Sequence, residues 1–332
     1  MICSDWRDAP AGVLAPLFAA EEQRWAEELG WDLGPSLRVV EEARARGELP
    51  GLIVRSRTGE ALAWSFHVLS HGLVQIGALT GRSAGAVRLL LEGICLSPEA
   101  QLAQGLSCFL FPVSTSVASA LARQRFALQT QRYLSRTLAA EIAPPGSRLD
   151  VRPWQPEDSP TLVRLLARAY AGDAGARCFA PHGRLDEWAH YTGQLLSGPA
   201  CGAFRPEWSV VAVAADGSPA GLVIATEIAP GTAHLAQVAV DPAHRGRRVG
   251  AALVAAACTA ARRAGAERMT LIVGDHNAPA RRLYDRLGFE DSSRAFLYAH
   301  RGPVPRRFSE PLRRSTEAFA EQPITIEAGI SG

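Results

Sequence analysis

Apolar and polar positions in the second half of the chain alternate between helical and strand spacing. The apolar stripe in Glu157–Ala171 recurs every three to four residues and predicts an amphipathic helix. Two strand patterns joined by Asp216-Gly217 predict a hairpin. The full set of predicted strands is Asp150–Trp154, Ser209–Ala215, Ala220–Glu227, Ala233–Val240, Met269–Val273 and Phe289–Tyr298, and the further helices are Leu185–Leu196, Val249–Ala264 and Ala278–Leu287. This succession predicts a mixed α/β layer architecture.

The first half repeats this plan in a weaker form. The same number of residues separates Arg82–Gly85 from Arg245–Arg248 and Phe126 from Phe289. We call this shared separation the repeat offset. One offset at two separated landmarks rarely arises by chance. We therefore infer an internal duplication.

A proline-rich seam separates the two halves. Residues 141–156 contain four prolines and a glycine, which disfavour a helix and suit a linker. We therefore place one domain at 1–143 and a second at 146–300. Residues 301–332 have scattered prolines and charges without a sustained period, which predicts a surface-wrapping tail; a role in homodimer contacts is the alternative.

Composition narrows the class of protein. A net charge of +2 gives no electrostatic case for a nucleic-acid or membrane partner. The six cysteines are scattered without a C-x-x-C pair, which predicts no metal site and no disulfide framework. The first residues lack an apolar run, and the most apolar long stretch, Val249–Ala264, is too short to span a bilayer. We expect a cytoplasmic protein.

A basic, glycine-bearing loop between a strand and a helix of small residues is the strongest chemical signal. Gly246 and Gly250 permit close backbone approach, and Arg245, Arg247 and Arg248 add positive charge. Unpaired amides at a helix N-terminus, together with the helix dipole, suit a pyrophosphate. Taken alone, such a loop is equally consistent with a solvated basic turn.

Two further features accompany the loop: strand Ala233–Val240 before it and the segment NAPARRLYDRLGF after it. The combination resembles the GNAT superfamily of acyltransferases, whose loop reads Arg/Gln-x-x-Gly-x-Gly/Ala. Here the loop runs from Arg245 to Gly250, with Arg248 in place of the middle glycine. The replacement is tolerable if the backbone at this position has a negative φ and contributes only its N–H.

The resemblance implies the fold and the cofactor. It implies two GNAT-like domains, each a mixed, mostly antiparallel twisted sheet flanked by helices. The co-substrate would be acetyl-CoA or another acyl-CoA, and the acceptor a small-molecule or peptide amine. The residues implied to hold the acyl-CoA are Val238, Ala239, Val240, Arg245, Gly246, Arg247, Arg248, Val249, Gly250, Ala251 and Asn277.

Two residues are candidates for proton transfer. The resemblance implies that Tyr284 protonates the leaving thiolate; the alternative is a core aromatic residue. His234 lies eleven residues before Arg245, the spacing at which histone-type relatives carry a basic glutamate, so we consider it as the base. A solvent-facing histidine at a strand end is the competing interpretation, and Glu227 and Glu207 are weaker candidates for the base.

The corresponding positions in the first half have lost these groups. Val87 ends its loop, Leu121 stands where Tyr284 stands, and Arg125 stands where Gly288 stands. Thr115 stands near the place of Asn277 and is a poor substitute for its helix cap. We therefore expect the first half to be a structural or acceptor-shaping domain.

The region between the first two helices of the second half is expected to shape the acceptor pocket, with Trp188, His190 and Tyr191 as candidate lining residues. No acceptor follows from them. The leading hypothesis is an N-acyltransferase in which an amine attacks the thioester directly. The alternatives are a non-catalytic acyl-CoA-binding or regulatory protein, an acyltransferase with a longer acyl donor, and an aminoacyl-transferring enzyme.

Overall fold

A computed structural model describes residues 1–304 except 11, 112–113, 141, 143–145 and 147–148. The predicted seam at 141–156 therefore lies partly outside the described residues, and so does most of the predicted tail at 301–332. The domain boundaries at 143 and 146 stay a prediction.

The described residues form an alternation of strands and helices in both halves. The first half contains β1 (Ile2–Asp5), α1 (Ala15–Leu29), α2 (Gly34–Ala45), β2 (Gly51–Arg55), β3 (Ala61–Ser70), β4 (Leu73–Gly81), α3 (Ala84–Leu96), α4 (Pro98–Leu102), β5 (Gly105–Leu110), α5 (Thr115–Arg123) and β6 (Ala127–Thr137). The second half contains β7 (Asp150–Pro153), α6 (Ser159–Ala169), α7 (Leu185–Ser197), β8 (Ala203–Phe204), β9 (Val210–Val213), β10 (Pro219–Ala229), β11 (Thr232–Val240), α8 (Val249–Arg263), β12 (Arg268–Gly274), α9 (Ala278–Arg286) and β13 (Glu290–Arg301).

Every strand and helix predicted for the second half is present, and the differences lie at the ends. Helix α6 begins at Ser159, two residues later than predicted, because Pro156–Asp158 forms a 3₁₀ turn. The Asp158 carboxylate accepts a hydrogen bond from the Gln155 N–H at 2.8 Å and closes that turn. Strand β13 extends to Arg301, beyond the predicted end, because β5 of the first half pairs with it that far.

All the strands belong to one mixed sheet. The strand order is β1-β2-β3-β4-β5-β13-β6-β12-β11-β10-β9-β7, with β8 paired to β10. Neighbouring strands run antiparallel except for β4 with β5 and β11 with β12. This confirms the predicted α/β class with a mostly antiparallel sheet. The order also shows that each half supplies its last strand to the other: β13 lies between β5 and β6, and β6 lies between β13 and β12.

The two exchanged strands meet across an approximate twofold axis. Arg132 of β6 pairs with Ala295 of β13, its own counterpart at the repeat offset. The flanking pairs are Gln131 with Phe296 and Tyr133 with Arg294. The repeat offset relates Gln131 to Arg294 and Tyr133 to Phe296, so interchanging the two halves converts one pair into the other. Helix α5 likewise precedes α9 by the repeat offset at both ends. The geometry is that expected of the internal duplication inferred from the sequence.

Each half packs helices on both faces of the sheet. Consecutive residues of one strand belong to different apolar clusters: Ile53 packs with α1 and α2, and Val54 packs with α3 and α5. In the second half Leu222 packs with α6 and α7, while Val223 packs with α8. Side chains of a strand alternate between faces, so the continuous apolar runs in these strands reflect burial on both sides.

The N-cap of α5 corrects one sequence inference. Ser114 Oγ accepts a hydrogen bond from the Val117 N–H at 3.2 Å, just as Asn277 Oδ1 accepts one from Ala280 at 3.1 Å. Ser114 is the residue that the repeat offset relates to Asn277. The expectation that Thr115 stands at this position was wrong, and the first half retains the cap.

Removal of this cap is expected to destabilise the chain. Ser114→Ala should lower the free energy of unfolding by about 1 kcal/mol, because the Val117 N–H loses its acceptor at the helix start. The measurement is urea unfolding of the full chain. Thr115→Ala is the matched control, since Thr115 is exposed and makes no cap bond. Equal losses in the two variants would contradict the assignment.

Candidate active site

Strands β11 and β12 separate halfway along their length. They pair in parallel only where Thr232–Leu235 of β11 lies beside Arg268–Leu271 of β12. A β-bulge at Ala236 follows, because Leu235 pairs with Ala225 and Gln237 pairs with Ile224 on the other side. Beyond the bulge, Val238–Val240 have no strand partner on the β12 side within the described chain. Their backbone groups form an open edge that an extended ligand can pair with.

The loop after β11 presents a row of unpaired amides. Helix α8 begins at Val249, and no side chain caps its N-terminus. Among the described residues, no hydrogen-bond acceptor reaches the backbone N–H groups of residues 246–251. Consecutive free amides at a helix N-terminus, with the dipole behind them, suit an anion such as a pyrophosphate. The predicted loop residues lie at this helix start, and their role in holding an acyl-CoA stays a prediction.

The backbone at Arg248 differs from the expectation. Its φ is +62°, in the left-handed region, and Gly246 has a φ of +75°. The condition of a negative φ, under which Arg248 would be tolerated, is not met. The position occupied by the middle glycine in the family pattern requires the conformation that glycine adopts most readily. Arg248 therefore carries backbone strain.

We expect Arg248→Gly to stabilise the chain. Relief of the left-handed conformation, worth about 1–2 kcal/mol, should exceed the roughly 0.5–1 kcal/mol that the added flexibility of the unfolded chain costs, so the free energy of unfolding should rise by up to about 1 kcal/mol. Arg247→Gly is the control, because Arg247 has a negative φ and is equally exposed. It should instead lose about 0.5–1 kcal/mol through the added flexibility of the unfolded chain. Thermal and urea unfolding of both variants test this, and a loss in Arg248→Gly would refute the strain.

The three loop arginines have different surroundings. The Arg245 guanidinium donates to the Ala169 carbonyl at the end of α6 and to the Val240 carbonyl at 3.4 Å. Arg245 therefore holds the end of α6 against the end of β11. Arg247 and Arg248 are exposed and have no acidic partner in the part of the chain that the structure describes. These two side chains are free to meet phosphate groups.

Asn277 caps the N-terminus of α9, Tyr284 lies on α9, and both line the same cavity as the loop and β11. Tyr284 is buried and packs edge-on against Phe289 at 5.7 Å. Within the described residues its hydroxyl makes no hydrogen bond. Burial raises the pKa of Tyr284 well above its usual value. The phenol therefore carries its proton at neutral pH, but it is a weaker acid than a thiol, whose pKa in water is near 8.5. Its role as the proton donor stays a prediction.

His234 lies in the interior at the junction of the two halves. Its Nδ1 lies 2.9 Å from the Thr270 hydroxyl, and the ring of Trp31 from the first half lies 5.0 Å from its own. Only 4% of the side chain is exposed, so the solvent-facing alternative was wrong. Burial lowers the pKa of His234 to about 3. The imidazole is neutral at pH 7 but a weaker base than an ordinary histidine, and its role as the base stays a prediction.

The two weaker candidates for the base share one arginine. Glu227 accepts hydrogen bonds from the Arg205 guanidinium, and Glu207 lies 3.9 Å from the same group. These contacts give neither residue a place beside Tyr284.

The region predicted to shape the acceptor pocket contains a hydrogen-bond network that the sequence did not reveal. The Gln237 amide donates to the Tyr191 hydroxyl at 2.6 Å and accepts from the Tyr170 hydroxyl at 2.9 Å. Of the predicted lining residues, His190 and Tyr191 line the cavity, while Trp188 is buried and stacks on Tyr170 at 5.4 Å. The network joins α6, α7 and the bulged part of β11.

The cavity continues from the second half into the first. Its volume is about 2680 Å³, and first-half residues such as Trp25, Trp31 and Phe111 form part of its wall. No spacing in the sequence indicates that Trp31 meets His234. The contact joins a residue of the first half to a residue of the second.

The first half has no comparable loop. Ser83 caps α3 by accepting a hydrogen bond from the Ala86 N–H at 3.3 Å, so its side chain takes the place that an anion would need. Arg82 pairs with Glu60, and Leu121 is fully buried where the second half has Tyr284. The absence of a phenol at that position leaves the first half without the predicted proton donor.

Two further properties bear on the ligands of the site. No group of three or more His, Cys, Asp or Glu side chains suited to a metal ion occurs among the residues that the structure describes. None of the described helices is long and apolar enough to cross a membrane.

Part of the second half is similar to a known family. Residues 168–289 match the Acetyltransferase (GNAT) family. The structure is similar to that of a GCN5-related N-acetyltransferase from Sphaerobacter thermophilus, with a TM-score of 0.65, 18% identity, and coverage of 91% of this chain and 96% of that one. It is also similar to a tandem GNAT protein from the clavulanic acid biosynthesis pathway, with a TM-score of 0.55, 15% identity, and coverage of 78% and 84%.

A third similar structure is the glucosamine N-acetyltransferase region of a fungal multi-domain β-N-acetylglucosaminidase, with a TM-score of 0.61 and 14% identity. The match covers 90% of this chain and 38% of that chain. No curated protein matches the sequence. At these identities the structural likenesses establish the fold.

Proposed function

We propose that the protein transfers an acetyl group from acetyl-CoA to a primary amine, because residues 168–289 match the Acetyltransferase (GNAT) family. Acyl-CoA-dependent N-acyl transfer is the general activity of the family. The choice of acetyl-CoA over longer acyl donors, the class of acceptor and the residues named below are part of the proposal.

The observation that carries the proposal is the arrangement of one cavity. It brings together the unpaired amides of residues 246–251, the open edge of Val238–Val240 and the free hydroxyl of Tyr284. An extended molecule with a pyrophosphate at one end and a thioester at the other could contact all three. The amides would hold the pyrophosphate, and the strand edge would pair with the pantetheine amides.

The chain's own groups would then assist a direct transfer. The neutral amine nitrogen bonds to the acyl carbon, the carbon–sulfur bond breaks, and the Tyr284 hydroxyl gives its proton to the departing sulfur. A backbone N–H of Val238–Val240 would polarise the thioester carbonyl. The proton lost by the amine needs an acceptor, for which His234 is the candidate that lines the cavity.

A matched pair of substitutions tests the binding site. Gly250 and Gly85 are both the second residue of their helix, in α8 and α3. A Cβ at Gly250 would meet Leu283 and Val240 only at 3.5 Å, an ordinary contact, and at Gly85 it would meet the flexible end of Met1 at 3.1 Å. Aspartate is favourable in the first turn of a helix, so both variants should fold.

Gly250→Asp should weaken acetyl-CoA binding at least tenfold by calorimetry, because it places a carboxylate among the pyrophosphate amides. Gly85→Asp should leave the dissociation constant unchanged. Equal binding in the wild type and Gly250→Asp, or no binding of any coenzyme A species, would refute the proposed site.

Turnover separates the proposal from its main alternative. We expect release of free coenzyme A thiol from acetyl-CoA in the presence of a panel of primary amines. Binding without release for any amine would favour the non-catalytic acyl-CoA-binding protein, and release only from longer thioesters would favour the longer donor. Cytoplasmic location and a homodimer also remain predictions.

A further inference from the structure

A buried carboxylate on the core-facing side of α1 is not used by the proposed mechanism. Glu21 lies one helical turn from Leu17 and one from Trp25, on the stripe of α1 that faces the sheet. It is 5% exposed and lines the cavity shared by the two halves. Carboxylates are almost never buried to this extent unless they are paired.

The carboxylate of Glu21 is only half satisfied. Oε1 accepts a hydrogen bond from Trp25 Nε1 at 3.2 Å, but no donor among the described residues makes a hydrogen bond to Oε2. The nearest cation, Arg24 Nη1, lies 3.6 Å from Oε2, beyond hydrogen-bond distance, and its side chain is 38% exposed. Burial raises the pKa of Glu21, and the charge of Arg24 opposes that rise. An unsatisfied buried carboxylate costs free energy unless a ligand pairs with it.

Aromatic contacts connect Glu21 to the site. The rings of Trp25 and Trp31 lie 5.4 Å apart, and Trp31 lies 5.0 Å from the ring of His234 on β11. Trp25 also packs edge-on against Phe111 and Phe296 at 5.5 and 5.7 Å. Trp31 Nε1 is a second buried polar atom in this wall without a hydrogen-bond partner in the described chain. Such a wall suits an aliphatic chain, and aromatic faces attract cations.

We propose that Glu21 binds a second cationic group of the acceptor, and that Trp25 and Trp31 enclose the carbon chain between this group and the reacting amine. The inference rests on the proposed function, because it takes the acceptor to be an amine acetylated beside Tyr284. It assigns the acceptor to the diamines and related dications, and it gives the first half the recognition of the substrate's distant end.

The test compares α,ω-diaminoalkanes with n-alkylamines of the same chain length, using the full chain. The wild type should favour the best diamine over its matched monoamine by about tenfold or more in kcat/KM, the size expected for one charge-assisted hydrogen bond. Glu21→Gln should abolish this preference while leaving the kcat/KM for the monoamine and the dissociation constant of acetyl-CoA unchanged. Glu22→Gln, an exposed neighbour on the same helix, should retain the preference.

A preference that persists in Glu21→Gln, or a wild type that treats diamines and monoamines alike, would overturn the inference. Calorimetry with diamines in the presence of coenzyme A separates the two proposals. Glu21-dependent diamine binding without any thiol release would contradict the proposed function and would support only the binding of a cationic group by Glu21. Thiol release without a diamine preference would support the proposed function and contradict the binding of a second cationic group by Glu21. Thermal unfolding shows whether Glu21→Gln folds, which we expect because the substitution removes a buried charge.

Discussion

Tyr284→Phe is expected to lower kcat for acetyl transfer by about 10²-fold, the usual contribution of a positioned general acid, while acetyl-CoA binds as before. The ring is buried against Phe289, and its hydroxyl makes no hydrogen bond within the described residues, so its removal breaks no contact of the free protein. The loss should therefore come from the leaving thiolate, which would depart without a proton. Steady-state thiol release with a saturating amine measures the effect.

Tyr298→Phe is the matched control for this substitution. Tyr298 is also buried, burial also raises its pKa, and its ring lies on β13 outside the residues that line the cavity. We expect its kcat to match the wild type. If Tyr284→Phe retained full activity at saturating acetyl-CoA, proton donation by Tyr284 would be wrong. If its acetyl-CoA affinity fell by the same factor as its kcat, Tyr284 would be a binding residue.

His234 should make the stability of the chain depend steeply on pH on the acid side. Its pKa is about 3 in the folded chain, against 6.5 in the unfolded chain. Between these two pH values the His234 imidazole binds a proton in the unfolded chain but not in the folded chain. The stabilising contribution is therefore complete above about pH 6.5 and is lost as the pH falls toward 3.

The expected size is about 2 kcal/mol between pH 7 and pH 5, at about 1.4 kcal/mol per pH unit below 6.5. Urea unfolding of the wild type and of His234→Gln across this range tests it. Other groups titrate in both proteins, so the quantity to compare is the difference between their slopes. A wild-type slope equal to that of His234→Gln would mean that the imidazole is accessible to protons and retains an ordinary pKa, and it would restore His234 as a base of normal strength.

The chemical core of the site could be predicted from the sequence because its parts are local. The strand, the glycine-bearing loop and α8 are consecutive, and Asn277 and Tyr284 lie seven residues apart on one helix. Spacing along the chain therefore carries their geometry. The φ of Arg248 could not be obtained in this way, because a single sequence does not show which loop residue adopts the left-handed conformation.

The acceptor side could not be predicted, because its contacts join residues that are far apart in the sequence. Trp31 meets His234, and Ser36 Oγ donates a hydrogen bond to the Pro199 carbonyl at 3.0 Å. Neither contact leaves a periodic or motif signal. The duplication was visible from the repeat offset, but the exchange of β6 and β13 was not, because exchanged and unexchanged strands have the same apolar pattern.

The exchange of the last strands also sets a constraint on the order of folding. Strand β5 can pair with β13 only after the second half has been made, since Leu110 pairs with Leu297. The same holds for the pairing of β6 with β12. While the second half is still being synthesised, β6 can pair with β5 instead. The duplication allows this pairing because β6 is the counterpart of β13, which later takes the place beside β5. Productive folding must avoid or undo that early pairing. We therefore expect the full chain to refold slowly. During synthesis, we expect the sheet to be completed only after β13 has left the ribosome.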